Sequence, residues 1–312
     1  MTGISVGASL GAGFGLIRRR PLSVLAWGAV LAGMQAVTLT LLAPMYGELF
    51  GRLAAMGAGG AAAAAAARDP AVTAQMLRFE ALAQLTNLAT LFSMCVVYCG
   101  VFRAVLRPEK TRFASLRIGA AELLLALLAV AAVIVFAIGL GLGMIPFLIV
   151  GVLAGLATHS GAAGMGLVIA LYGIAALVLC VYLGLRFCFV GPMMVDDGRF
   201  HLFESWNLTQ GRVGSLLGVL VGVTVLIIGI DIVLAVLVLA LAAAAVGSVG
   251  GLGQIAALMH EGSGAFLGRL APLIAVFYVF LVPILGSIAA IAGAPWARAY
   301  ADLKATAADH FA

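Results

Sequence analysis

Asp231 is the residue whose position most strongly suggests chemistry, because it is a carboxylate inside a long apolar run, LIIGIDIVLAV. It lies about 17 residues after the run begins, or about 25 Å along a helix. An ionisable side chain at that depth in a bilayer is costly and indicates a functional role. The alternative is a position near the outer interface, where water or Arg269 satisfies the carboxylate.

Glu122 is the second candidate polar group inside the membrane, because it lies one turn into another apolar run. Basic residues cluster just before it in the chain. We expect Glu122 to meet Arg117 or a neighbouring arginine at the membrane interface. On this interpretation its role is structural.

Other residue types that could perform catalysis or bind metal are scattered along the chain. The histidines are His159, His201, His260 and His310. Two of them on one side could meet a carboxylate such as Glu261, but loop histidines are more often only solvated. The cysteines are Cys95, Cys99, Cys180 and Cys188, all in apolar runs without a Cys-x-x-Cys motif. This pattern predicts buried free thiols. No nucleotide loop, metal-ligand spacing or Ser-His-Asp set occurs, so we expect neither an enzyme nor a bound cofactor or metal.

The composition indicates which solvent surrounds most of the chain. Of the 312 residues, 64% are hydrophobic and 9% are charged, with a mean hydropathy of +1.22. Soluble domains are about a quarter charged, so this chain has more apolar surface than a water-soluble core can bury. The net charge of +5 is explained by membrane topology, and no nucleic-acid partner is expected.

Six apolar stretches are long enough to cross a bilayer as helices, which takes about 20 residues each. They predict an all-α integral membrane protein with six transmembrane helices as three hairpins plus short interfacial helices, in a single domain over residues 1–312. The predicted spans are about 21–42, 83–105, 119–143, 164–190, 214–239 and 270–294. Arg117 and Arg212 each stand two residues before the glycine that begins a hairpin. This weak repeat is compatible with a pseudo-threefold bundle or with chance.

Some apolar runs exceed the thickness of a bilayer, which predicts breaks inside them. The run that begins near Gly119 continues to Ala157 and would reach about 57 Å as one helix. The predicted break points are Gly139, Gly141, Gly143 and Pro146. Residues 147–157 would then be a separate interfacial or re-entrant piece. Residues 43–80 are expected to form a loop with a short helix over its alanine tract, and Pro295 to end the sixth span.

Two short segments are expected to lie along the membrane surface. Residues 3–17 are too few to span, which predicts an interfacial or re-entrant helix against the bundle. Its apolar face would consist of Leu10, Phe14 and Ile17. A disordered N-terminus is the alternative, because glycine is a poor helix former. Residues 200–210 predict a second amphipathic helix, with Asp196 and Asp197 before it able to cap its start. The expected faces are Phe203, Trp206 and Gln210 on one side and His201, Glu204 and Asn207 on the other.

The distribution of basic residues predicts the orientation of the chain. Thirteen of the 17 Lys and Arg residues fall on one side of the predicted spans: Arg18, Arg19, Arg20, Arg103, Arg107, Lys110, Arg112, Arg117, Arg186, Arg199, Arg212, Arg298 and Lys304. The other side holds Arg52, Arg68, Arg78 and Arg269. The positive-inside rule then puts both termini in the cytoplasm. An even number of spans agrees with this, because it requires both termini to lie on the same side.

The segment between spans four and five reads Arg-x5-Pro, a short acidic-Gly turn, and then Ser-Trp-x-Leu-Thr-x-Gly-Arg. The residues that carry this pattern are Arg186, Pro192, Gly198, Ser205, Trp206, Leu208, Thr209, Gly211 and Arg212. A second short pattern, Gly-Phe-x-Leu-x-Arg-x-x-Pro, runs from Gly13 to Pro21. Both resemble the six-span bacterial membrane domain fused to some glycerophosphoryl diester phosphodiesterases, and YciC-like inner-membrane proteins. The resemblance implies a six-helix fold in the bacterial inner membrane. It implies no catalysis, because the phosphodiesterase activity of that family belongs to a separate barrel.

Three functional hypotheses follow. The first is a non-enzymatic inner-membrane protein that organises lipids or partner proteins and whose basic face attracts anionic phospholipid. The expected headgroup contacts are Arg103, Arg107, Lys110, Arg112, Arg117, Arg186, Arg212 and Trp206. The alternative is a transporter or channel for a small or lipidic solute, with Asp231 in a polar cavity. The third, an intramembrane enzyme, lacks a recognisable nucleophile–base or metal set.

Overall fold

Helices follow from the apolar runs because, in a bilayer, a helix satisfies the backbone N–H and C=O groups within one segment. The structure, a computed structural model, describes residues 5–56, 70–110, 113–158, 161–199, 201–249 and 263–309, and these ranges contain no strand. In chain order the helices are α1 (Val6–Arg19), α2 (Pro21–Met56), α3 (Pro70–Leu106), α4 (Ala120–Thr158), α5 (Gly161–Phe187), α6 (Val190–Asp197), α7 (Leu202–Leu208), α8 (Val213–Val249) and α9 (Ser263–Asp309). Two 3-10 turns, Pro108–Lys110 and Phe113–Ser115, lie between α3 and α4.

Six helical stretches in the described ranges are long and apolar enough to cross a membrane. They are Pro21–Ala43, Val72–Leu106, Ala120–Leu153, Met165–Asp197, Val213–Gly247 and Ala271–Thr306. The prediction of an all-α membrane protein with six spans is therefore confirmed. Each predicted span overlaps one of these stretches over nearly its whole length, although most of the helices are longer than expected.

The six long helices pair as three hairpins: α2 with α3, α4 with α5, and α8 with α9. The hairpins do not pack equivalently. Helix α9 is central, because it contacts α1, α2, α3 and α8. The α4–α5 hairpin contacts mainly itself and reaches the other helices through α3, α8 and the short helices.

The packed core lies at one end of the bundle, where α2, α4 and α8 begin and α3, α5 and α9 end. We call this the basic end, because the basic-rich connections lie there, and the opposite one the far end. One core cluster there joins α1, α2, α3 and α9 around the fully buried Trp27. A second cluster joins the end of α5, α6, α8 and α9 around Phe189 and Leu216.

Towards the far end, α4, α5 and α8 carry apolar side chains that the rest of the chain does not cover. Val135 on α4 is 68% exposed, Leu177 on α5 is 64% exposed and Leu239 on α8 is 69% exposed. In a membrane protein such side chains meet lipid, whose tails are as apolar as they are.

The predicted break in the third span is wrong, because α4 is one helix of 39 residues that runs through Pro146. A proline in a helix removes one backbone hydrogen bond, here to the carbonyl four residues before it, but a full break would expose more backbone groups to lipid. The helix just before the proline is also held on α5, where Tyr172 packs beside Gly143 and its hydroxyl donates to the carbonyl of Leu140. Residues 147–157 therefore continue α4.

The prediction that Pro295 ends the sixth span is also wrong, because α9 continues through it to Asp309. The turns beyond Pro295 are held by burial against α6 and α8. Ala297, Ala299, Tyr300 and Leu303 are all buried there. This packing offsets the hydrogen bond that the proline cannot donate.

The loop predicted for residues 43–80 is wrong at both of its ends, which are helical. Helix α2 continues to Met56 and α3 begins at Pro70. Proline suits this first position because its missing N–H has no partner in the first turn of a helix. The alanine tract, residues 61–67, lies outside the described residues.

The N-terminal segment forms the helix α1 against α9 and α8, as the first alternative expected. Its buried face differs from the expected one. Ser9, Gly13 and Leu16 face the bundle, whereas Phe14 is 49% exposed. A side chain at Gly13 would stand 2.9 Å from Cα of Ile291, so the absence of one lets α1 lie directly on α9.

Close packing of α2 on α9 generates a stability prediction. A Cβ at Gly28 would stand 1.8 Å from the carbonyl oxygen of Val282, and one at Gly286 would stand 2.0 Å from that of Val24. Because both neighbours are backbone atoms, Gly28→Ala or Gly286→Ala must push the helices apart. We expect each to lower the free energy of unfolding by at least about 2 kcal/mol.

The measurement is the midpoint of detergent-induced unfolding, followed by helical circular dichroism. Gly33→Ala is the matched control on α2, because Gly33 is exposed with no atom within 4 Å of its Cβ position. It should be neutral or slightly stabilising. Equal midpoints for Gly28→Ala and Gly33→Ala would contradict the close approach.

Candidate functional site

Arg103 lies near the end of α3, but its side chain turns into the protein and the residue is only 8% exposed. Its guanidinium forms an ion pair with Glu122 in the first turn of α4, and Nη1 donates to the carbonyl oxygen of Ser115 at 2.9 Å. Glu122 itself is fully buried. Arg103 therefore lacks the free guanidinium that the predicted headgroup contact requires, and that expectation is corrected.

Glu122 was expected to meet Arg117 or a neighbouring arginine, and the partner that the structure gives it is Arg103. Arg117 lies nearby but is exposed. The pair connects the first hairpin to the second, because Arg103 belongs to α3 and Glu122 to α4. Buried charges of opposite sign hold each other in place, since removing either leaves the other without compensation.

The loop between α3 and α4 folds back under the bundle and is held by side chains. Ala114 and Ser115 adopt positive φ angles of 56° and 53°, which non-glycine residues rarely do. The indole of Trp27 donates to the carbonyl oxygen of Ala114 at 2.8 Å. Arg20 donates to that of Pro108 at 2.7 Å. Sequence reasoning missed the role of Trp27. A buried Trp N–H needs a hydrogen-bond partner, so an indole inside an apolar span indicates that an acceptor lies close to it in the fold.

Arg186, at the end of α5, is engaged with aromatic rings rather than free. Its guanidinium lies 4.8 Å from the centre of the Trp206 ring and 5.2 Å from that of Tyr182. Nε and Nη2 also donate to the Tyr182 hydroxyl at 3.2 and 3.1 Å. Ser205 Oγ donates to the backbone carbonyl of Arg186 at 2.9 Å. Arg186 thus fixes α7 on the end of α5 and orients Trp206.

Helix α7 packs on a different face from the predicted one. Ser205 and Thr209 are fully buried, whereas Phe203 is 80% exposed. Trp206 is half-buried against Arg186, Tyr182 and Phe187. Phe203 is therefore free to enter the membrane interface beside the bundle, a place that suits an aromatic ring.

Asp196 joins three helices instead of capping α7. Its carboxylate accepts from Lys304 Nζ at 2.5 Å and from the Tyr300 hydroxyl at 3.3 Å, and it lies 3.6 Å from Arg107. These contacts tie α6 to α9 and α3. The residue at the N-cap position of α7 is His201, and its side chain makes no capping hydrogen bond. The capping prediction is wrong, because α6 ends at Gly198 with φ 71° and Asp196 faces α9.

Of the basic-end arginines not yet placed, Arg298 pairs with Asp302 at 3.1 Å. The other described ones have no acidic partner among the described residues. We call them the unpaired arginines: Arg18, Arg19, Arg117, Arg199 and Arg212. The first four are exposed and Arg212 is half-buried. Arg212 lines an open surface cavity of about 500 Å³ with Glu204, Asn207 and Gln210. Of the other predicted headgroup contacts, Arg107 is engaged by Asp196, and the Lys110 side chain and Arg112 lie outside the described residues.

Asp231 is exposed on the outer surface of α8 near its middle, rather than inside the bundle. The side chain of Arg269, its proposed alternative partner, lies outside the described residues. So do His159, His260, Glu261 and His310. Among the residues that the structure describes, no cluster of His, Cys, Asp and Glu could hold a metal ion. The four cysteines are free thiols.

No protein-family model, curated protein or solved structure gives a significant match to this chain. The resemblance to the phosphodiesterase-associated membrane domain therefore stays a prediction from its two short motifs.

The buried ion pair generates a prediction that a double-mutant cycle can test. Glu122→Leu leaves Arg103 buried and uncompensated, and Arg103→Met does the same to Glu122. We expect each single change to cost about 3–5 kcal/mol of unfolding free energy. The double variant should be clearly more stable than either single variant, because it leaves no unpaired charge.

Detergent-induced unfolding of the purified protein measures these four free energies. Arg117→Gln is the control, because Arg117 is exposed and near the pair; it should change stability by less than about 0.5 kcal/mol. Costs that simply add in the double variant would show that the two side chains do not interact.

Proposed function

We propose that this chain is a non-enzymatic protein of the bacterial inner membrane that binds anionic phospholipid at its basic end and thereby organises lipids or partner proteins. The observation that carries the proposal is the set of unpaired arginines. Four of them stand next to the points where the hairpins begin: Arg18 and Arg19 before α2, Arg117 before α4 and Arg212 before α8. The fifth, Arg199, stands between α6 and α7 at the same end.

A site at the start of a membrane span lies at headgroup level. Each Lys or Arg near an anionic membrane surface contributes about 1 kcal/mol of attraction. Trp206 and the exposed Phe203 lie in the same region, and aromatic rings favour this interface. The unpaired arginines suit the phosphate group of a lipid, and these aromatic rings suit the start of its acyl chains.

The orientation supports the same proposal. The basic end carries most of the Lys and Arg residues, so the positive-inside rule puts it in the cytoplasm with both termini. The cytoplasmic leaflet is also the one rich in anionic lipid. The resemblance to a membrane domain without catalytic activity of its own agrees with a non-enzymatic role.

The transporter alternative receives less support from the positions of polar side chains. Of the fully or nearly buried polar residues in the described ranges, only Thr86 lies away from the basic-end core; the others are Ser9, Arg103, Glu122, Ser205 and Thr209. Asp231 faces outwards. A pathway normally needs several polar groups along its length.

Removal of four of the five unpaired arginines should reduce lipid selectivity. The test variant is Arg18→Gln/Arg117→Gln/Arg199→Gln/Arg212→Gln. We expect the preference of a bound site for phosphatidylglycerol over phosphatidylethanolamine to fall about fivefold for each arginine contact that the site loses. The measurement is competition between the two lipids for the purified protein, read by native mass spectrometry.

The matched control removes four arginines from the other side of the spans: Arg52→Gln/Arg68→Gln/Arg78→Gln/Arg269→Gln. Its net charge is the same as that of the test variant, but its selectivity should stay near that of the wild type. An equal loss of selectivity in both variants would show that lipid selectivity depends only on net charge. A wild-type protein without headgroup preference would refute the proposal.

The proposed orientation has its own test. Green fluorescent protein fused after Ala312 should fluoresce, and alkaline phosphatase fused there should be inactive, because the latter needs the oxidising periplasm for its disulfides. Fusions placed within residues 57–69, between α2 and α3, should behave in the opposite way. Phosphatase activity from the C-terminal fusion would overturn the orientation.

A further inference from the structure

Helix α8 is exposed at most positions of its far-end half, and one row of exposed residues with heptad spacing contains Asp231. The residues of this row alternate four and three positions apart, which keeps them on one side of a helix. They are Leu217, Val221, Thr224, Ile228, Asp231, Ala235, Val238 and Ala242, and each is exposed. We call them the α8 stripe.

The α8 stripe lies away from the face that α8 buries in its own molecule. Leu216, Val219 and Val223 are the buried residues of α8, and they pack in the core cluster shared with α9 and the end of α5. Leu10 of α1 packs beside Gly222 on this helix. None of these packed residues belongs to the α8 stripe.

Two polar residues stand on this otherwise apolar stripe, seven positions apart. Ionisable residues within membrane spans normally face the bundle interior, but Asp231 is exposed. The Thr224 hydroxyl donates to the carbonyl oxygen of Leu220 at 2.9 Å, so its oxygen can still accept a bond. A carboxyl group facing hydrocarbon is costly, which favours coverage of this face by another polar group.

We propose that the α8 stripe is a dimer interface between two copies of this chain, with the two Asp231 carboxyl groups facing each other across a two-fold axis. All copies in a membrane have the same orientation, so a two-fold axis along the membrane normal pairs the α8 helices in parallel and in register. Each residue of the stripe then meets its own counterpart. This symmetry explains how a single acidic residue finds a partner without any cation.

The chemistry of the stripe is complementary to itself. Two facing carboxylic acid groups satisfy each other completely, because the O–H of each donates to the carbonyl oxygen of the other and the pair carries no net charge. Ala235 and Ala242 are small, which permits close approach of helices in lipid. A partner of another kind would need a Lys or Arg within its own span to pair with the carboxylate.

The experiment measures dimerisation of the full-length protein in liposomes. Single-molecule photobleaching of protein labelled at its C-terminus gives the dimer fraction as the protein is diluted in lipid. Asp231→Leu should weaken dimerisation about 5- to 30-fold, because interhelical polar contacts in membranes are worth about 1–2 kcal/mol. Asp231→Asn keeps a donor and an acceptor and should stay within about threefold of the wild type.

A matched pair of bulky substitutions tests the geometry of the interface. Ala235 is on the stripe, whereas Ala240 is equally exposed but lies about half a turn from it. Ala235→Trp should abolish the dimer and Ala240→Trp should leave it unchanged. The unfolding midpoint and the lipid preference of Asp231→Leu should match those of the wild type, which separates this proposal from that of lipid binding.

Three results would overturn the dimer. The wild type could stay monomeric at every dilution. The two tryptophan variants could behave alike. Asp231→Leu could dimerise as the wild type does but no longer copurify with another membrane protein that the wild type binds. The stripe would then be the binding site for that other protein.

Discussion

The buried ion pair of Arg103 and Glu122 is the interaction on which the basic end depends. Charges withdrawn from water persist in a protein only when they are paired, and each of these two has the other. Because one belongs to α3 and the other to α4, the pair holds the first and second hairpins together at a fixed depth. The same guanidinium holds the carbonyl of Ser115, which turns the connecting loop under the bundle. The pair therefore helps to fix the position of α4, whereas the end of α5 is also held by the core cluster that it shares with α6, α8 and α9.

The unequal packing of the two ends follows from the solvent. Lipid provides no hydrophobic force that would bring helices together along their whole length. Close contact arises instead where small residues let backbones meet, as Gly28 and Gly286 do between α2 and α9, and where polar groups join the connections, as Asp196 does. Beyond these contacts α4, α5 and α8 are largely uncovered by the chain. The fold is thus a set of three hairpins held together mainly at the basic end.

The number and type of spans could be predicted from the sequence because hydropathy and length are properties of each segment alone. The breaks at Gly139 to Pro146 and at Pro295 could not, because whether a helix survives a proline depends on what packs beside it. The roles of the arginines depend in the same way on distant residues. Asp196 meets Lys304 across more than a hundred positions of the chain. A count of Lys and Arg predicts a basic end, but not which of these residues the fold itself uses.

Charge balance at the basic end connects this division of the arginines to lipid. The thirteen Lys and Arg residues that the sequence assigns to this side stand against seven acidic ones, an excess of six positive charges. The acids are Glu109, Glu122, Asp196, Asp197, Glu204, Asp302 and Asp309. Internal pairing can use arginines such as Arg103 and Arg107 for structure, but it cannot remove the excess. Anionic headgroups are the opposite charges that a membrane offers at this level. The proposed function assigns them to this surplus, on which the proposed orientation also rests.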